Sequence, residues 1–483
     1  MEPKSGAQIS TRAFLQSVII LFVLMMFAGL MTRLLPAGSY TRITIADRQV
    51  IDPQSFQPVE KPAYPAWRWF TAPVEVLWGP DAVIIITIIV FLLMVGVSFA
   101  VLDKTGILAA AVQRLVQAFG GRKYLLLLVI SFFFMLLGAF FGIFEEVVPL
   151  VPVMVALSYS LGWDALVGLG MSILATNMGF SAAMTNPFTI GVAQRLAGLP
   201  LFSGAWFRLP IFAMMYILLA IFLVRYARKI ERNPEASLVY KEDRQGRARH
   251  EASLPDALLG GQAIPRRAII WLFACLGLIL TVLVVVPFLP ALSDFSLPLV
   301  GLLFFIGGFG AGLLSGKPVG VTFKALGEGA SGIAPAIPLI LMASSVKYIV
   351  AEGRIMDTIL HSASGLFTSA SPFVAVLGIF FLTLVIEFFI GSGSAKAFLL
   401  MPIVLPLADL VGVTRQVTVT AYCFGDGFTN LAYPTNPVLL ICLGLTIVSY
   451  PKWMKWTLPL WIGVLLVALF FMGLGVAIRL GPF

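Results

Sequence analysis

The sequence predicts an all-α polytopic membrane protein built from two inverted repeats, each with a re-entrant hairpin and a broken transmembrane helix. Three observations predict it. Of 483 residues, 59% are hydrophobic and only 11% charged, with a mean hydropathy of +0.99; a soluble domain holds about 45–50% apolar and about 25% charged residues. Thr435-Asn436-Pro437, which closes the stretch GDGFTNLAYPTNP (Gly425 to Pro437), has a twin 250 residues earlier at Thr185-Asn186-Pro187. An apolar run interrupted by a short turn precedes each copy. Proline inside a spanning helix removes a backbone donor and crowds the carbonyl one turn earlier, so the helix opens. The freed carbonyls, with Thr and Asn beside them, then need a polar ligand. Broken helices at matching places in two halves point to the substrate site of a secondary transporter.

The net charge of +9 could suggest a nucleic-acid partner, but much of the basic excess lies in one hydrophilic segment. It reads instead as a positive-inside topology signal, and no nucleic acid is expected. Cys275, Cys423 and Cys442 lie in apolar surroundings without metal spacing or a disulfide pattern, so packing is their expected role. With only His250 and His361, a His-rich metal site is excluded, and His361 is expected to be interfacial.

Taken in order, Lys4 and Arg12 precede the apolar run Phe14–Leu35 and place the N-terminus in the cytoplasm. The run exceeds the about 7–15 residues of a signal-peptide core, so it is expected as a retained first span. The loop Pro36 to Pro80, with Trp67, Trp69 and Trp78, is placed outside at the membrane–water interface. Asp81–Leu102 returns to the cytoplasm, and a short amphipathic piece runs from Asp103 to Lys123. Residues 124–160 then form either a hairpin, with its tip at Gly142-Ile143-Phe144-Glu145-Glu146, or two full spans. Both options close the crossing count; the short, Gly-marked turn and the second half favour the hairpin. Residues 164–199 form one helix broken at Thr185-Asn186-Pro187, and Trp206–Val224 leads back inside. The first repeat is therefore 1–225, followed by a basic, solvated cytoplasmic linker at 226–267.

A linking transmembrane helix at 268–295 (apolar over Ala268–Phe288) is the odd crossing that inverts the second repeat, 296–483. There Leu297–Leu314 and Ala330–Val350 cross, and Glu352-Gly353-Arg354 opens a second amphipathic piece. The hairpin 372–410 turns at Gly391-Ser392-Gly393-Ser394, the broken helix is 415–448, and Trp456–Ile478 leads the C-terminus outside. The 250-residue offset also aligns Pro152 with Pro402, Gly162 with Gly412, Ala182 with Ala432 and Trp206 with Trp456.

Charge inside a bilayer costs roughly 2.5–3.5 kcal/mol on insertion scales, so it is functional or paired by default. Glu145, Glu146, Glu387, Lys396 and Asp426 are the candidates. Glu145 and Glu146 suit a proton carrier or the ligand of a substrate amine; a wet loop or pairing with Arg or Lys across the bundle is the blander account. Ser392, Gly393 and Ser394 offer hydroxyls and close backbone approach at a helix start that favours a carboxylate, with Lys396 one turn in; a simple tight turn is the alternative. With Gly142, Asn186, Thr435 and Asn436 these form the expected substrate site. Asp426 and Asn430, matched by Asn177 and Thr185 in the first half, supply oxygens of the kind Na⁺ would use, though some such residues serve as helix–helix hydrogen bonds. No cofactor is expected beyond Na⁺ or H⁺ coupling. An enzyme is not expected: the Gly-Ser run lacks the glycine a nucleophile elbow needs, and no Walker motif is present. A channel ranks below alternating access.

GSGSAKAFLLMPIVLPLADLVGVTRQVTV followed by FGDGFTNLAYPTNP, with FGIFEEVVPLVP and MGFSAAMTNPF in the first half, resembles the YfcC group of the DcuC-like C4-dicarboxylate anaerobic carriers, within the ion transporter superfamily. The resemblance covers nearly the whole membrane region. It implies a multi-pass carrier of the bacterial cytoplasmic membrane, an elevator mechanism and a homodimer. It also marks Gly142, Glu145 and Glu146 at the first tip, Ser392, Gly393 and Ser394 at the second, and Asn186, Pro187 and Thr435 in the broken helices. Na⁺/dicarboxylate relatives carry Ser-Asn-Thr at their tips, where this chain has Glu-Glu and Gly-Ser-Gly-Ser. The expected function is therefore secondary active transport of a small carboxylate-bearing metabolite. A C4-dicarboxylate follows from the family; a zwitterionic or basic amino acid is the alternative that the twin glutamates favour.

Overall fold

The computed structural model describes residues 11–45, 48–119, 121–244, 264–286, 295–364, 370–446 and 448–481. The expected cytoplasmic Lys4, along with His250 and most of the second half of the 226–267 linker, lies outside the described residues. The protein is all-α, with ten described helices long and apolar enough to cross a membrane, as apolar runs near the 20 residues a span needs dictate. They sort into two groups by packing. A frame combines Thr11–Leu34, Ala82–Lys104, Arg266–Val285, Ser296–Leu314, Val319–Ile333 and Ala336–Glu352. A central group holds the two hairpins, the two broken helices, Ala205–Arg232 and Tyr450–Ala477.

The first hairpin enters as Lys123–Phe141, its last turn widened to a π-helix at Leu137–Phe141. It returns as a 3₁₀ turn, Glu145–Leu150, and the helix Val151–Ser160. Tyr124 and Trp163 bring its two feet together, with ring centroids 5.6 Å apart. Its tip lies against the break in the first broken helix, between Ala175–Ala182 and Pro187–Gly191. A tip level with the middle of a spanning helix is a re-entrant hairpin, not the turn between two full spans. The second hairpin pairs Pro372–Glu387 with Gly393–Leu410, and the second broken helix is Arg415–Phe428 followed by Pro437–Gly444. The two broken helices cross at Ser181 and Gly427, so closely that a Cβ on Gly427 would lie 2.5 Å from the Ser181 Cα.

Three stretches differ from expectation. The 36–80 loop contains short antiparallel pairs, Gly38–Ser39 with Gln57–Pro58 and Arg42–Ile45 with Arg48–Ile51, besides the helix Arg68–Glu75. The crossing expected at Ala330–Val350 is two helices parted at Ala334-Pro335. The solvated linker expected from residue 226 is structured as far as Arg244: Ala205–Arg232 runs on past Val224, and the chain after it docks on the central group. There Asp243 accepts hydrogen bonds from the Tyr159 hydroxyl at 2.7 Å and from the Ala165 amide at 3.2 Å. Asp164 accepts from the Tyr226 and Ser237 hydroxyls, both at 2.7 Å, and caps its own helix through the Val167 amide. The exposed amides at a helix start take up these acceptors, a tie that a count of basic residues does not reveal.

Candidate functional site

The twin Thr-Asn-Pro segments build the same local structure twice. Thr185 donates its hydroxyl to the Phe140 carbonyl at 2.9 Å, and Thr435 does so to the Phe388 carbonyl at 2.7 Å. Each threonine thereby ties a hairpin arm to a helix break. The asparagines cap the half-helices that follow. Asn186 Oδ1 accepts from the Phe188 and Thr189 amides at 2.9 and 3.3 Å, and Asn436 Oδ1 from the Val438 and Leu439 amides at 2.9 and 3.4 Å. Proline then occupies the first helical position, where its missing N–H costs nothing. The first tip turns at Gly142 with φ of 70°, and a Cβ there would meet the Asn186 amide oxygen at 2.2 Å.

The buried charges converge at the second tip. Lys396, in the first turn of the returning arm, is paired with Glu387 at the end of the entering arm and with Asp426 of the second broken helix, the latter at 2.8 Å. Side-chain exposure is 0% for the lysine and 1% for each acid, so the three charges are sealed from solvent. Gly393 makes this approach possible, because a Cβ there would lie 2.6 Å from the Thr189 methyl and 2.9 Å from an Asp426 oxygen. The Tyr422 hydroxyl, one turn before Asp426, donates to the Gly393 carbonyl.

Beside this triad is a cavity of about 240 Å³. The central group lines it with Glu145, Glu387, Gly391, Ser392, Thr435 and Asn436, and the frame contributes Asp81, Ser344 and Lys347. Of the expected substrate residues, the structure therefore brings Glu145, Ser392, Thr435 and Asn436 to one space. Gly142 and Asn186 pack on each other behind the first tip. Glu146 accepts from the Phe144 amide at 3.3 Å, and Ser394 lies with its hydroxyl 3.4 Å from that of Ser392. Gly393 is the spacer against Asp426.

Three of the four expected ion ligands are otherwise engaged: Thr185 in its tether, Asp426 with Lys396, and Asn430 as acceptor from Asn436 Nδ2 at 3.3 Å. Asn177 is fully buried with its side-chain amide unpartnered. Sequence reasoning missed Asp81 and Lys347, which pair at 2.5 Å at the edge of the cavity. The signal was present, since Lys347 interrupts the apolar helix Ala336–Glu352.

A cavity between two hairpin tips and a helix break, inside a bundle of spanning helices, is the construction of a membrane transporter. The chain belongs to the DcuC family of C4-dicarboxylate anaerobic carriers, whose family model matches residues 14–477. It is similar to the "Putative basic amino acid antiporter YfcC" of Escherichia coli (strain K12), 29% identical over 474 residues that span 91% of this chain and 92% of that one. It is also 29% identical over 386 residues to an uncharacterized protein of Haemophilus influenzae, covering 79% of this chain and 74% of that protein. Among solved structures, the Alcanivorax borkumensis YdaH transporter overlays with a TM-score of 0.43 at 19% identity, covering 97% of this chain and 100% of that one. Neisseria gonorrhoeae MtrF, described with a class of antimetabolite efflux pumps, overlays with a TM-score of 0.40 at 16% identity over 96% and 95% of the two chains.

Proposed function

We propose that this chain is a secondary active transporter of a small carboxylate-bearing metabolite, and that the metabolite is a zwitterionic or basic amino acid rather than a C4-dianion. The observation that carries the reading is the cavity lining, where Glu145 and Glu387 border the same space as two capped helix starts at Ser392 and Asn436. Helix starts favour a carboxylate, and Glu145 offers a charge-assisted bond to an ammonium group. A dianion would satisfy the helix starts and be repelled by the glutamates. The Escherichia coli relative's name, "Putative basic amino acid antiporter YfcC", agrees with an amine-bearing substrate.

On this reading the repeats 1–225 and 296–483 each give a hairpin, a broken helix and the helix after it to a central group that slides as an elevator against the frame, and the frame holds a homodimer in the bacterial cytoplasmic membrane. With the N-terminus inside, Asp81 and Lys347 adjoin the outer loop, so the cavity opens outward. In proteoliposomes an imposed gradient is expected to drive uphill accumulation of amino acid, where a channel would only equilibrate it. Ligand-induced thermal shifts are expected from amino acids and not from C4-dicarboxylates. Loss of a charge-assisted bond worth about 1.5–3 kcal/mol in Glu145→Gln should weaken that binding roughly 10- to 100-fold. A shift by dicarboxylates alone, indifferent to Glu145→Gln, would overturn the amino-acid reading.

A further inference from the structure

We infer that Lys396 is a resident cation, its ammonium standing where a coupling Na⁺ would be held between Glu387 and Asp426, so that the carrier works without Na⁺. Two acids from different elements, the end of one hairpin arm and the middle of a broken helix, converge on one position, and the chain itself supplies the positive charge there. Ionised carboxylates buried in an apolar bundle require a paired cation, and an ammonium on a side chain meets that need permanently. Two of the other oxygens that Na⁺ would draw on are committed elsewhere: the Thr185 hydroxyl donates to the Phe140 carbonyl, and the Asn430 side-chain oxygen accepts from Asn436.

With both acids ionised, one ammonium against two carboxylates leaves one negative charge over. Glu387 borders the cavity with its carboxylate buried against Lys396, so the surplus lies just behind the wall of the ligand space. This last step rests on the amino-acid reading above: the ligand's own amino group supplies the second positive charge, and substrate replaces Na⁺ as the partner of the site. The resident cation itself does not depend on which substrate is carried.

The test compares melting of the purified full-length protein in NaCl and in choline chloride at matched ionic strength, a readout that needs no substrate and no transport. Wild type is expected to melt at the same temperature in both salts. Lys396→Ala, which vacates the position and leaves the two acids facing each other, is expected to melt lower in choline and to be raised saturably by Na⁺. A wild-type protein stabilised saturably by Na⁺ would overturn the inference, as would a folded Lys396→Ala protein indifferent to it. If the variant cannot be purified, the wild-type comparison decides alone. Loss of Na⁺ indifference with amino-acid shifts intact would remove the resident cation and leave the proposed function standing.

Discussion

At the first hairpin Thr185 ties the Phe140 carbonyl and Asn186 caps the next half-helix; at the second, Thr435 ties Phe388 and Asn436 caps its own. The bond lengths agree within a few tenths of an ångström. The charges do not repeat. Under the 250-residue offset Glu146 falls on Lys396 and Thr176 on Asp426, so a base and an acid stand in the second half where the first has an acid and a hydroxyl. The repeated residues all satisfy backbone groups that a helix break exposes, a need common to both halves. The unrepeated ones set the charge of the space between them. Duplicated backbone chemistry holds the tips in place, and unequal side chains give the two tips different tasks.

The largest difference between the halves should appear at the tip glycines. Gly142 is left-handed and pressed on Asn186, whereas a Cβ on Gly391 would meet the Asn436 amide nitrogen at 3.7 Å and a Glu387 oxygen at 4.0 Å, both ordinary contacts. Gly142→Ala should cost about 2–5 kcal/mol, combining left-handed strain with overpacking. Gly391→Ala should stay within about 0.5 kcal/mol. Equal losses, measured as unfolding free energies in micelles or bilayers, would mean that the first tip is no tighter than the second.

A smaller effect separates the caps. Asn186→Ala and Asn436→Ala each remove an acceptor serving two amides, so each should cost about 0.5–2 kcal/mol of stability. Only Asn436 lines the cavity, and it alone donates to Asn430. Substrate affinity measured on the folded variants should therefore fall for Asn436→Ala and hold for Asn186→Ala. The reverse order would move the binding space toward the first half.

Most of the fold was legible because its signals are local. Apolar runs mark the spans, and the Thr-Asn-Pro twins mark the breaks by chemistry that acts within a few residues. Glu387, Lys396 and Asp426 were recognisable singly as charges in apolar surroundings. Their meeting was not, since it depends on the second hairpin folding back so that residues nine and thirty apart converge. Asp81 and Lys347 were harder still. They reach the cavity from frame helices on the far side of the boundary between the two groups, and no spacing within either helix reports that contact. The docked stretch 233–244 was masked in the sequence by its basic neighbours, although Ser237, Glu242 and Asp243 help to hold it.

The triad also invites comparison with the charged cluster at the 36–80 loop, where the same kinds of side chain meet near solvent. Arg68 pairs with Glu75 and, at 3.3 Å, with Glu352, but the three side chains are 21–36% exposed where the triad's are 0–1%. Exposed ion pairs are worth about 0–1 kcal/mol. Burial alone would raise the Glu75 carboxyl; hydrogen bonds from Arg68, from Thr71 at 2.5 Å and from Tyr348 at 3.2 Å outweigh it and hold the group below the usual glutamate range. A carboxyl lowered in the folded state stabilises the protein above its unfolded pKa, and that stability is lost as pH falls through the lower, folded value. Glu75→Gln should therefore flatten the acid limb of the melting curve while changing stability at neutral pH by less than about 1 kcal/mol. The effect should shrink further at high salt. A neutral-pH loss as large as that of Gly142→Ala would show that the loop cluster is sealed like the triad, and that burial is not what separates the two.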